Sequence, residues 1–191
     1  MRTLVAALLS GLLLAGCTGG TAGFIYDRVD IVSGRDVYHG TILSNYKDVE
    51  KSEKGLILKP GARFAIKTDQ LTQTIGQFDV AILAGDGVNV YLRTVADKFD
   101  TTKGIAFRYA TNGCSVRESD GTIVPLPYNA ENEQQTLSFY NESNLLSIQA
   151  GCKRLYEEQC SLPETEYTIF ETLPGSTVEI RSAAYFDTNA N

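Results

Sequence analysis

Hydrophobic and polar positions alternate along most of this chain, the period of a strand with one buried face. Within residues 62–67, Phe64 and Ile66 fall on one side and Arg63 and Lys67 on the other. Within 77–84, Phe78, Val80 and Ile82 share a side. Gly85-Asp86-Gly87 follows, and 88–94 resumes with Val88, Val90 and Leu92 inward and Asn89, Tyr91 and Arg93 outward. Two alternating runs around a glycine turn predict an antiparallel hairpin. Residues 104–110 set Ile105, Phe107 and Tyr109 against Ala106 and Arg108. Asn112-Gly113 turns that run into 114–117, and Asp120-Gly121 turns the next into 122–124. Residues 137–139, 145–149, 165–172 and 177–181 extend the series, the last two joined at Pro174-Gly175. Residues 24–32 are a candidate strand. Helical spacing is confined to 48–54, 95–99 and 153–159, each long enough for a turn or two. About ten short strands punctuated by turns predict an all-β, two-sheet antiparallel sandwich with few short helices.

The N-terminus departs from this pattern. Met1-Arg2 supplies one positive charge, and an apolar run broken only by Ser10 and Gly11 reaches Leu14. Such a run is too short to span a bilayer and reads as a secretory signal. It ends in Leu14-Ala15-Gly16-Cys17, which resembles the lipobox of bacterial lipoproteins at all four positions. The resemblance implies cleavage before Cys17 and its modification by a diacylglyceryl thioether and an N-acyl chain. Several acyl chains on one residue make a stable anchor. Residue 18 is Thr, not the Asp that retains many Gram-negative lipoproteins in the inner membrane. The resemblance therefore implies the outer membrane for a Gram-negative source. The expected organisation is a signal peptide over 1–16, a lipidated tether of small residues over 17–23 and a single sandwich domain over 24–191.

From Gly55 onward the order of signals resembles the concanavalin A-like jelly roll of laminin-G and lectin domains. The residues that carry it are Gly55-Leu56-Ile57-Leu58, Ala62-Arg63-Phe64-Ala65-Ile66, Gly87-Val88-Asn89-Val90-Tyr91-Leu92-Arg93, Lys103-Gly104-Ile105-Ala106-Phe107 and Gly175-Ser176-Thr177-Val178-Glu179-Ile180-Arg181. The resemblance implies a ligand site on the concave sheet face.

Composition narrows the function classes. The 191 residues, 43% hydrophobic and 21% charged, suit one globular domain. Lys plus Arg number 17 against 23 Asp plus Glu, for a net charge of -6. An acidic chain without a basic run argues against nucleic acid as a partner. The single histidine, His39, reads as structural or surface. No Gly-x-Ser-x-Gly elbow, Walker motif or dinucleotide fingerprint accompanies it. Asp97 and Asp100 flank Phe99, and Asp79 and Asp86 bracket the first hairpin, but calcium needs about six to eight oxygens, so these read as structural acids. No metal and no cofactor is expected. With Cys17 lipidated, Cys114, Cys152 and Cys160 remain, and export permits a disulfide. Cys152–Cys160, closing a short loop, is the first choice. Cys114 with either one is the alternative.

The candidate ligand-binding residues are Asn89, Tyr91, Arg93, Arg108 and Arg117. If their strands neighbour one another, three guanidiniums, an amide and a tyrosine line one surface. That chemistry suits anionic or hydroxyl-rich ligands through forked hydrogen bonds and stacking. Paired carboxylates are thin: Glu118-Ser119-Asp120 crosses a predicted turn, and Glu131 and Glu133 lie in a polar loop. No catalytic residue is expected. The expected role is a lipid-anchored cell-envelope binding or accessory module, held to the membrane through Cys17 and recognising a glycan or an envelope protein. Two alternatives remain. One is a glycan-acting hydrolase, since the outline is similar to 3-keto-disaccharide hydrolase-like domains. The other is a structural subunit of a membrane complex.

Overall fold

The computed structural model describes residues 27–30, 35–36, 41–44, 48–67, 73–94, 101–102, 104–142, 144–160, 162 and 167–187. The expected signal peptide, Cys17, the tether, His39, Asp97, Asp100 and the 95–99 turn lie outside them. The described strands are β1 (Asp27–Asp30), β2 (Arg35–Asp36), β3 (Thr41–Ser44), β4 (Val49–Lys51), β5 (Leu56–Leu58), β6 (Arg63–Lys67), β7 (Gln73–Ala84) and β8 (Gly87–Leu92). There follow β9 (Ile105–Ala110), β10 (Ser115–Arg117), β11 (Ile123–Pro125), β12 (Gln135–Glu142), β13 (Leu145–Ala150), β14 (Lys153–Gln159), β15 (Tyr167–Thr172) and β16 (Thr177–Asp187). No α-helix occurs among the described residues.

The strands form two antiparallel sheets. Sheet A runs β3-β6-β15-β8-β9-β10-β11, and sheet B runs β1-β16-β7-β12-β13-β14, with β5 also on β16 and β4 on β5. β2 pairs with both β1 and β3 and joins the sheets along one side. This is the expected two-sheet jelly-roll sandwich. Its core is built by the alternation: Phe64, Val88, Val90, Phe107, Val116 and Phe170 from sheet A meet Phe78, Val80, Leu137, Phe139, Ile148 and Ile180 from sheet B. Aromatic rings cross between the sheets, Phe78 against Phe170 at 5.0 Å and Phe139 against Phe107 at 6.1 Å between centroids, both edge-on.

Three expectations are corrected. First, β7 and β8 are not a hairpin: β7 pairs with β12 and β16, whereas β8 pairs with β9 and β15. Gly85-Asp86-Gly87 instead carries the chain from sheet B to sheet A, and the β15–β16 connection at Pro174-Gly175 crosses back. The two corners are tied together, because the buried Ser176 hydroxyl accepts from the backbone N–H of Asp86 at 2.9 Å and Gly87 at 3.0 Å. A Cβ at Gly87, where φ is +143°, would run into the Tyr109 carbonyl, so only glycine fits this corner. Ser176→Ala strands the buried Gly87 donor and frees the partly buried Asp86 donor, and is expected to cost about 1–3 kcal/mol in urea unfolding.

Second, the segments 48–54 and 153–159 are not helical. They hold β4 and β14, and β14 is the edge of sheet B. Third, the Cys152–Cys160 bridge does not form, since Cys114 and Cys160 are both free and buried. The extended β14 separates Cys152 from Cys160, and at about 3.3 Å per residue the gap exceeds about 20 Å, against a limit of about 7 Å between bridged Cα atoms.

Candidate functional site

The outer face of sheet A is ordered by strand register. Directly opposed residues form one row across the sheet, Arg63, Glu171, Asn89, Arg108 and Ser115. The neighbouring row is Ala65, Ile169, Tyr91, Ala106, Arg117 and Ile123. Asn89, Tyr91, Arg108 and Arg117, expected on one surface, are thus brought together. Sequence inspection placed Arg63 outward but did not pair it, and it missed Glu171. Their only signal was the polar phase of an alternating strand, and the pairing of β15 with β6 and β8 is a long-range contact.

Arg93 is not part of this face. Its φ of 50° lies in the left-handed region and breaks the alternation of β8. The side chain is 2% exposed and reaches across to sheet B. There its guanidinium donates to the backbone carbonyls of Leu145 at 3.0 Å, Cys160 at 3.4 Å and Leu162 at 2.7 Å, and to Asn141 Oδ1 at 3.2 Å. This is a structural staple between β8 and β12–β14.

The remaining polar groups are preorganised. Glu171 accepts from Arg63 Nε at 2.8 Å on one oxygen and from the Tyr91 hydroxyl at 2.7 Å on the other. Asn89 Nδ2 donates to the Tyr91 hydroxyl at 3.4 Å. Arg108 donates to Asn112 Oδ1 at 3.1 Å, and Arg117 to the Thr101 carbonyl at 3.0 Å. Tyr91 is 8% exposed and clusters with Ala65, Ala106 and Ile169. It is a floor and the fixed point of the network, not an open stacking plate. The half-buried Asn89, Arg108 and Arg117 stand beside that floor.

Burial, and then the hydrogen bond to Glu171, push the Tyr91 phenol up to about 12. A raised native value means that this group's contribution to stability is intact below the ordinary tyrosine value of 10.0 and is lost as pH rises through about 12. Tyr91→Phe is expected to reduce the stability lost over that window, measured by urea unfolding at a series of alkaline pH values.

A second recess, of about 140 Å³, opens at one end of the sandwich between Ile105, Glu118, Leu146, Tyr156, Glu158 and Cys160. The Tyr156 hydroxyl donates to Glu118 Oε1 at 2.9 Å, and burial, reinforced by that bond, raises its pKa. The recess is below the range of about 300–1,000 Å³ that small-molecule sites occupy. Of the acids considered as calcium ligands, Asp79 accepts from Thr136 and Ser182, and Asp86 accepts from Asn112. Among the described residues no three His, Cys, Asp or Glu side chains converge on a metal position.

No protein-family model matches this chain, and no curated protein matches it by sequence. Solved structures do share its fold. A carbohydrate-binding module, CBM66 from Bacillus subtilis, superposes with a TM-score of 0.58 at 12% identity, over 76% of this chain and 94% of that one. The carbohydrate recognition domain of Emp47p gives 0.60 at 12% identity, over 88% and 99%. The exoplasmic/lumenal domain of VIP36 in its Ca2+/Man2-bound form gives 0.60 at 13% identity, over 87% and 89%. At these identities the likeness establishes the lectin-like sandwich fold.

Proposed function

We propose that this chain is a lipid-anchored cell-envelope module that recognises a glycan, without catalysis, on the outer face of sheet A. The observation that carries the reading is the pairing of two unlike rows. Polar Arg63, Glu171, Asn89 and Arg108 stand directly beside Ala65, Ile169, Tyr91 and Ala106. A sugar presents hydroxyls at its rim, and the fixed hydrogen-bonding groups of the polar row, braced by the buried row of Ala65, Ile169, Tyr91 and Ala106, match them. Arg63 and Tyr91 hold Glu171 in place, so little ordering entropy is lost on binding. The structural neighbours support this use of the fold, because their names specify carbohydrate binding.

A hydrolase needs two carboxyl groups flanking the scissile bond. Among the described strand positions on this face the only acid is Glu171, and both of its oxygens are engaged. A structural subunit would present a broad apolar patch. The exposed large apolar side chains among the described residues are Leu83 on sheet B and Ile123 on sheet A.

Anchoring through Cys17 follows from the lipobox. Mass spectrometry of the purified protein tests it, and the expected species begins at Cys17 and carries three acyl chains. Recognition is tested by isothermal titration of the full chain in detergent against a panel of oligosaccharides. Asn89→Ala, which removes a half-buried amide of the polar row, is expected to weaken the best ligand about tenfold while leaving the unfolding free energy within about 1 kcal/mol of the parent. Absence of binding across the panel, or equal binding by the variant, contradicts the reading.

A further inference from the structure

The arginines of the described chain are unevenly paired. Arg63 meets Glu171 at 2.8 Å, Arg154 meets Glu157 at 2.7 Å and Arg181 meets Glu179 at 2.7 Å. Arg93 is buried on backbone carbonyls. Arg108 and Arg117 differ: among the described residues neither has a carboxylate within 4.0 Å. Their hydrogen-bond partners are an amide oxygen and a backbone carbonyl, which orient a guanidinium without neutralising it. Asp86 is held at one remove, accepting from Asn112 Nδ2 at 2.9 Å.

The register sets these two arginines diagonally. Arg108 lies opposite Ser115 and Arg117 opposite Ala106, on the adjacent strands β9 and β10. Diagonal positions on paired strands are about 7–8 Å apart. The other diagonal holds Ala106 and Ser115, the two small residues of the block, and each guanidinium is tied to a different end of β9, Arg108 to Asn112 after it and Arg117 to Thr101 before it. Both arginines are half-buried, which weakens solvent screening and strengthens a forked contact to an anion. The chain as a whole carries -6. A locally unneutralised arginine pair in an acidic protein is a selective feature, not a general attraction to anions.

Resting on the glycan reading above, we propose that the ligand of this face is an anionic glycan whose acidic substituents are met by Arg108 and Arg117. Guanidinium forks suit a carboxylate and a phosphate ester alike, and the test separates the two. Two matched pairs of probes are used with the full chain in detergent: polygalacturonate against its methyl ester, and a phosphomannan against the same mannan after phosphate removal. In at least one pair the charged member is expected to bind about tenfold or more tighter, and the preference is expected to shrink as salt rises. Arg108→Gln and Arg117→Gln are each expected to abolish most of that preference, whereas Arg154→Gln, on sheet B, leaves it intact. Equal binding of charged and neutral members in both pairs overturns the anionic specificity and leaves the glycan reading standing. Binding by none of the four probes overturns the anionic specificity, whereas the glycan reading falls only if the oligosaccharide panel also shows no binding. Equal weakening by Arg154→Gln also overturns the proposal, because it marks diffuse attraction.

Discussion

Arg93→Ala is expected to lower the free energy of unfolding by about 3–5 kcal/mol, seen as a lower urea midpoint at unchanged slope. The side chain is 2% exposed, so water does not replace it. Its removal strands the carbonyls of Leu145, Cys160 and Leu162 and the Asn141 side-chain oxygen together. Unsatisfied buried acceptors cost about 1–3 kcal/mol each before the chain relaxes. Arg93→Lys keeps the charge but not the planar fork, so it recovers only part of the loss. A surface arginine would behave differently, with an unmoved midpoint and a weaker ligand. The pair of measurements therefore separates the staple from the binding role that alternation alone suggests for this position.

Phe78→Ala is expected to cost about 3–5 kcal/mol. Phe78 lies on β7 in sheet B and is fully buried. Its ring stands 5.0 Å from Phe170 of sheet A and 5.8 Å from Phe139 of its own sheet, so it fills the layer between the sheets. Truncation opens a void that rigid strands on both sides cannot close. Leu83→Ala is the matched control. Leu83 is on the same strand but 48% exposed, and its loss should change stability by less than about 0.5 kcal/mol.

Alternation made the strands legible because each has one dry face. Phe64 and Ile66, Val88 and Val90, and Ile105, Phe107 and Tyr109 all point into the core as their phase requires. The errors have physical causes. Gly85 and Gly87 give the same positive-φ signal whether a turn makes a hairpin or a corner between sheets, and only the partner strands decide. β14 is an edge strand with Lys153, Arg154, Glu157 and Glu158, the charged residues that protect an open edge, and they mask its period of two. The placement of Arg93 depends on a left-handed backbone at a non-glycine residue, for which the sequence carries no mark. On the site, the phase of single strands put Asn89, Tyr91, Arg108 and Arg117 outward, but the neighbours Arg63 and Glu171 emerge only from strand pairing across more than a hundred residues.

The location of the ligand surface is the centre of this account, and amide chemical-shift mapping of the isotopically labelled chain during titration with its best-binding oligosaccharide tests it most directly. Saturable shifts confined to Asn89, Tyr91, Ala106, Arg108, Ser115, Arg117 and Glu171 are the expected result. Shifts centred instead on Gln77, Ser138 and Gln149 of sheet B, or on Glu118 and Tyr156 at the end recess, would contradict it.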